Sequence, residues 1–229
     1  TGANTRVAVD GALSISGGAT PAGTVQAGIG AALALDAQTI DLASRIALPS
    51  GRVSLSATQD VRVAEGGTID VAGTAKNYLG KTVTTPGGDV VLASRTGDVT
   101  LAQGALIDVS AASAAATGGN AGSITLSAAE GELSVADGAL RAQSAGGNAG
   151  GALSVDVRSA TSLDSLAAQG SEFTRSWSAR VRTGDTRLDT DLKASDIAIA
   201  TDAGSLTIGS TLDASGADQG GRIELSARR

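Results

Sequence analysis

Residues 104–128 read "GALIDVSAASAAATGGNAGSITLSA". Two short apolar stretches, "ALIDVSA" and "SITLSA", are separated by Ala, Ser, Thr, Gly and Asn, none large enough to anchor a core. A shortened version follows at 138–155, "GALRAQSAGGNAGGALSV". A phrase so thin and so repeated points to a repeat architecture, in which each unit buries its apolar side only against its neighbours.

The repeat extends in both directions. Its first phrase recurs as "GGTIDVAG" (66–73), "GALIDVSA" (104–111), "GALRAQSA" (138–145) and "GSTLDASG" (209–216). A Gly-rich turn leads each time to a second phrase: "GGDVVLAS" (87–94), "AGSITLSA" (121–128), "GGALSVDV" (150–157) and "GGRIELSA" (220–227). A third follows about nine residues later, as "GDVTLA" (97–102) and "GELSVA" (131–136); "GSLTIG" (204–209) follows "DIAIA" in the same way. Apolar and small polar residues alternate within each phrase, which sends one set inward and the other out. The unit is therefore three short strands joined by Gly or Asp-Gly turns.

Spacing distinguishes stacked coils from other all-β folds. The steps between successive strands of a unit are nearly constant, while the return from the third strand to the next unit varies. Stacked coils must keep their strands in register, and one loop is free to bulge into solvent. The stretch "SAASAAATGGNAG" is that elastic turn. No Asn-Gly hairpin signal occurs, which disfavours the structural runner-up, an antiparallel sandwich. Ile40, Ile46, Val53, Val61 and Ile69 extend the rhythm toward the N-terminus. Eight to ten coils at ~4.8 Å each predict a rod of ~40–50 Å.

Composition agrees. Of 229 residues, 41% are apolar, yet Tyr78, Phe173 and Trp177 are the only aromatics and Met is absent. Val, Ile, Leu and Ala suit a core a few side chains wide. Gly is abundant at 32 residues and Pro scarce at 3. Flexible chains also favour Gly, Ala and Ser, but the ordered alternation and only 17% charged residues set this chain apart from them. The net charge of −6 lacks the basic footprint of a nucleic-acid binder, so nucleic acid is not an expected partner.

Cys and His are both absent. Disulfides and thiolate chemistry are excluded, and so are a Ser-His triad and the commonest metal ligand. A chain exported unfolded through a narrow pore gains from having no disulfide. No P-loop, dinucleotide fingerprint or calcium-binding nonapeptide is present. A Ser-Lys pair would have to use Lys76, Lys81 or Lys193, which no motif frames. Paired carboxylates of the glycosidase kind would lack aromatic platforms for sugar rings. No enzyme, cofactor or metal is expected. No apolar run is long enough for a transmembrane helix. The chain opens Thr1-Gly2 with no visible signal peptide and reads as a segment of something longer.

The rhythm falters at 158–195, where an irregular or hairpin excursion is expected. The segments 1–157 and 196–229 are read as one continuous solenoid on either side of it. Phe173 and Trp177 fall inside the excursion with several arginines. Arg175, Trp177, Arg180 and Arg182 are the one place where charge and an aromatic coincide. They form the candidate ligand patch, suited to acidic polysaccharide or a nucleic-acid strand by charge and stacking. The blander and preferred reading is an outward strand face or a hairpin packed on the rod, with Trp177 covering its flank. Asp185, Asp189, Asp191 and Glu172 are expected to neutralise the patch. "RTGD" occurs at 95–98 and 182–185. The intervening Thr separates it from an Arg-Gly-Asp signal, and a Gly-Asp turn explains it better.

"GGTIDVAG", "GALIDVSA…GGNAGSITLSA" and "LTIGSTLDASGADQGGRIELSA" resemble the filamentous-haemagglutinin family of large bacterial exoproteins, over about residues 30–229. "RVRTGDTRLDTDLKASDIAIATDAGSLTIGSTLDASG" is similar to another recurrent stretch of that family. The resemblance implies a right-handed parallel β-helix and two-partner secretion through an outer-membrane transporter barrel. It implies a secreted or cell-surface adhesin, or the stalk of a toxin, with a host or bacterial surface receptor or glycan as partner. It brings no catalytic residue, and the family's Asn-Pro motifs are not seen. The expected function is a rigid shaft. A carbohydrate-binding or polysaccharide-cleaving β-helix is the second class. An ice-binding face is the third, with "TVTT" at 82–85 its single instance.

Overall fold

In the computed structural model, residues 3–17, 28–112, 118–144, 147–215 and 220–228 are described. The second phrase of the repeat is the strand Ser123–Ala128, with Ile124, Leu126 and Ala128 buried and Ser123, Thr125 and Ser127 toward solvent. Its parallel neighbours repeat this in strict register. Leu33, Val53, Val90, Ile124, Leu153, Trp177, Ile197 and Ile223 form one inward row. Leu35, Leu55, Leu92, Leu126, Val155, Ala179, Ile199 and Leu225 form the next. Each fully buried Val, Leu or Ile contributes roughly 1.5–3 kcal/mol. Rows of them account for the stability that the missing aromatics would otherwise supply.

Nine parallel strands make this first sheet, from Asn4–Ala8 to Arg222–Ala227. Eight steps of ~4.8 Å give a length of ~38 Å, and the fold is an all-β parallel β-helix. A second sheet of five strands runs from Ala12–Ser16 to Leu133–Val135, and a third of four from Arg45–Ala47 to Leu140–Arg141. The apolar set of the alternating phrases points inward as expected, with Ile69, Ile107 and Leu126 buried. Ile223 is 46% exposed, because among the described residues no strand packs on the outer side of Arg222–Ala227. Val7 in the first strand is exposed for the same reason.

Glycine acts here in two ways. Gly66, Gly104 and Gly138 open the first phrase in three successive coils, at φ of 76°, 77° and 74°, where other residues are strained. Gly51, Gly88 and Gly122 precede the first-sheet strands, where backbones of adjacent coils nearly touch. A Cβ on Gly122 would overlap the carbonyl of Gly88, and one on Gly88 that of Gly51. The repeated "GGNAG" adds a polar rung between coils. Asn120 Oδ1 accepts the N–H of Ala149 (3.1 Å), and Asn148 Nδ2 donates to the Gly118 carbonyl (2.8 Å). Of the elastic turn between these strands, residues 113–117 lie outside the described residues.

The irregular region is shorter than 158–195 and of a different kind. Ser162 makes one parallel bridge to Arg187, standing in for a second-sheet strand. A helix, Asp164–Gln169, and a 3-10 turn, Gly170–Glu172, replace the third-sheet strand. Residues 176–195 then form a regular coil: Ser176–Val181 joins the first sheet, and Thr186–Leu188 and Leu192–Lys193 restart the other two sides. The helix seals the gap with Leu163, Leu166, Ala167 and Phe173, all buried.

A hairpin does occur, but elsewhere. Ala75–Tyr78 pairs antiparallel with Lys81–Thr84, inside the return from the third sheet to the first. Its turn places Leu79 at φ 49° and Gly80 at φ 82°. These are the positive values of a tight hairpin turn, made here with Leu where Asn is usual. Its base is pinned to the solenoid by Thr85. The Thr85 Oγ1 accepts the Thr74 N–H (2.8 Å) and meets Ser50 Oγ at 2.5 Å. "TVTT" lies in this hairpin and not on a flat rank of the rod.

Candidate ligand patch

The four residues of the expected patch do not converge. In Ser176–Val181 the side chains alternate, so Trp177, Ala179 and Val181 face the core while Arg180 faces out. Trp177 is fully buried between Leu153 and Ile197 in the inward row. Its indole N–H has no acceptor among the described residues, and no face of the ring is open to a ligand. The separation of charge from aromatic follows from period-two alternation at a place where the sequence rhythm is hard to phase.

The arginines are engaged in the frame. Arg175 donates to the carbonyls of Ala121 (3.2 Å) and Gly122 (3.0 Å), two coils back. Arg182 grips Asp156 with two parallel bonds of 2.8 Å each. Arg180 pairs with Asp202 at 2.7 Å. The hydrogen bond from Arg180 holds the Asp202 carboxyl below its usual range. The neutralising carboxylates are thus Asp156 and Asp202. Of the four expected, only Asp189 pairs with an arginine, Arg187. Asp185 and Asp191 accept the backbone N–H groups of Ser205 (2.7 Å) and Thr211 (2.8 Å). Glu172 accepts from the Ala142 N–H (2.7 Å) and from Gln143 Nε2 (2.9 Å).

Both "RTGD" stretches turn the chain from the first side of the coil to the second, with Gly184 at φ 92° and Gly97 outside the positive-φ region. Thr96 Oγ1 donates to the Thr58 carbonyl (2.6 Å) and Thr183 Oγ1 to the Arg158 carbonyl (3.0 Å). Asp98 Oδ1 accepts the Glu132 N–H (2.8 Å), as Asp185 does from Ser205. Asp60 does likewise for Asp98 (2.9 Å). These carboxylates are rungs between coils, and among the described residues no group of three or more acidic side chains is arranged to hold a metal ion.

Two hollows flank the former patch. One, of about 640 Å³, lies over the acidic turns and is lined by Asp60, Asp98, Glu130, Glu132 and Arg158. The other, about 310 Å³, is a shallow depression on the outer face of the first sheet, lined by Ser154, Asp156, Ser178, Arg180, Ala198 and Glu224. Its two carboxylates sit three strands apart and two residues out of register, more than about 14 Å and beyond the ~6.5–9.5 Å that inverting glycosidases need. Asp156 is also committed to Arg182, and Glu224 to Arg222.

Sequence reading missed the helix and the hairpin. Signals for both existed. Ser162 and Asp164 precede a run of helix formers, and Ser162 Oγ accepts the Asp164 N–H (3.1 Å). Leu79-Gly80 sits between two alternating runs that pair residue for residue. Among the described residues no helix is long and apolar enough to cross a membrane. No protein-family model, curated protein or solved structure matches the chain.

Proposed function

We propose that this chain is a shaft segment of a secreted bacterial surface exoprotein, an adhesin or a toxin-presenting stalk, and not an enzyme. The observation that carries the reading is the unbroken nine-strand parallel sheet, whose stacked inward rows make a stiff rod from small residues. Ion pairs between neighbouring coils support it. Arg6–Asp36, Arg45–Asp70, Arg52–Asp89, Arg182–Asp156, Arg180–Asp202 and Lys193–Asp213 each join one coil to the next. Such pairs commit those charges to the frame. Export through an outer-membrane barrel, with the right-handed winding usual for parallel crossovers, belongs to the same reading. So does a receptor or surface glycan bound by other parts of such a protein.

A carbohydrate-binding or carbohydrate-cleaving β-helix is the second reading, and the depression around Asp156 and Glu224 is the observation that favours it. A glycan array at physiological salt, with a cleavage assay on acidic polysaccharides, separates the two. The shaft gives no saturable glycan binding and no cleavage. Saturable binding lost on replacing Arg180 and Arg182 by Ala overturns the shaft reading.

A further inference from the structure

We propose that the hairpin Ala75–Thr84 is a peripheral membrane-contact arm, placing Leu79 among the lipids and Lys76 and Lys81 on anionic headgroups. The hairpin is the chain's anomaly in charge. From Val71 through Gly88 there is no Asp or Glu, and there are two of the three lysines of a protein with net charge −6. Lys193 is paired with Asp213. Lys76 and Lys81 make no ion pair with any described residue, and both are exposed.

The apex is anomalous in polarity and strain. Leu79 is 107% exposed, and it holds a left-handed backbone that disfavours side chains with a Cβ. Gly or Asn would relieve the strain, and either would remove the exposed apolar group. An outlier of this kind is a reason to look for function. Val83, paired with Lys76 across the ladder, is also 46% exposed.

Position selects the partner. Leu79 lies beyond the last ladder pair, Tyr78–Lys81. A peptide added along a free edge would cover a flank of the hairpin and leave the apex bare. A lipid surface approached end-on buries the apex first and meets the flanking lysines next. The acidic rod does not cancel the attraction. Four-residue strands reach about 13 Å, beyond the ~8 Å screening length at physiological salt.

The test is co-sedimentation of the 229-residue chain with vesicles of phosphatidylcholine alone or half phosphatidylglycerol. The expected result is binding to the anionic vesicles only, weakened by 0.5 M salt. Lys76→Gln with Lys81→Gln weakens it about thirtyfold, from the usual contribution of a lysine near an anionic surface. Leu79→Ser weakens it at least about tenfold. All three positions are exposed, so each variant melts like the parent. Absence of parent binding overturns the proposal. So does parent-like binding by Leu79→Ser, and so does equal binding of the parent to soluble heparin or polyglutamate, which would make the hairpin a general polyanion site.

Discussion

The first sheet runs unbroken through nine coils, while the second and third stop after the fifth coil and resume at the seventh. Between them sits the helix Asp164–Gln169. The contrast shows what a coil needs. One strand in register fixes its height and phase, and the other two sides have only to fill the inward volume and satisfy the backbone. The sixth coil does the first with Ala152–Val157 and the second with Leu163, Leu166, Ala167 and Phe173. The inward rows adjust beside the helix. Trp177 takes an aliphatic position, and Ala179 takes the next, where most other coils carry Leu, Ile or Val.

The sharpest way to break the contrast is a charge in a regular coil. Ile107 is fully buried between Ile69 and Leu140 in the third sheet. Ile107→Asp buries a carboxylate with no partner and costs several kcal/mol. The expected result is loss of the cooperative urea transition. A melt matching the parent would show that the third sheet is as replaceable everywhere as it is in the sixth coil.

The next effect probes the plug itself. Trp177→Ala empties the largest fully buried side chain and costs about 3–5 kcal/mol. Among the described residues the indole N–H has no acceptor, so packing is the main contribution and Trp177→Phe costs only about 1–2 kcal/mol. Chemical denaturation of both variants decides it. A Phe variant as damaged as the Ala variant would mean that the N–H is engaged after all.

Acid tests the polar bonds along the continuous sheet. Asp89 links three coils. It accepts from Arg52 (2.9 Å) in the coil before and from Ser123 (2.6 Å) in the coil after. Burial raises its pKa, but the bonds from Ser123 and Arg52 outweigh that, and the net shift is downward. A carboxyl depressed in the folded state contributes stability above its unfolded value, near 4, and loses it as pH falls through the folded value. Asp164, held down by Ser162 and the Asp189 N–H, and Asp213, held down by Lys193 and Ser215, act in the same direction. Stability in urea is therefore level from pH 7 to about 5 and falls below about 4. Asp89→Asn reduces the fall. Asp89 is 41% exposed, so its share is at most about 1 kcal/mol.

The same contrast explains what was legible in the sequence. Regular coils repeat, and repetition phased Ile69, Ile107 and Leu126 correctly from the alternation alone. The sixth coil has no repeat to compare with, so "SLDSLAAQGSEF" gave no phase for Trp177. Nothing in the local pattern separates this inward aromatic from the outward arginines beside it. The partners of those arginines, Asp156 and Asp202, lie one coil away in space but more than 20 residues away in the chain. Only the coil lengths connect them, and those lengths vary at the elastic turn. The hairpin was hidden for a related reason. It occupies that same variable turn, where the repeat imposes no pattern.

The smallest effect is expected at that turn. Deleting residues 113–117 shortens the return from the third sheet to the first between the fourth and fifth coils. The neighbouring returns differ in length, and one holds a whole hairpin, so the coil stack tolerates a range of closures. Loop-closure entropy changes only slowly with length, and the fixed points on either side remain. The Gly118 carbonyl still accepts from Asn148, and Asn120 still receives the Ala149 N–H. The deletion is expected to change the free energy of unfolding by less than about 1 kcal/mol. Extending it to residues 113–120 removes the asparagine rung and costs about 1–3 kcal/mol more. Denaturation of the two deletions side by side is the measurement. A short deletion as costly as the long one would mean that the elastic turn packs on the rod, and that this return is constrained as the first sheet is.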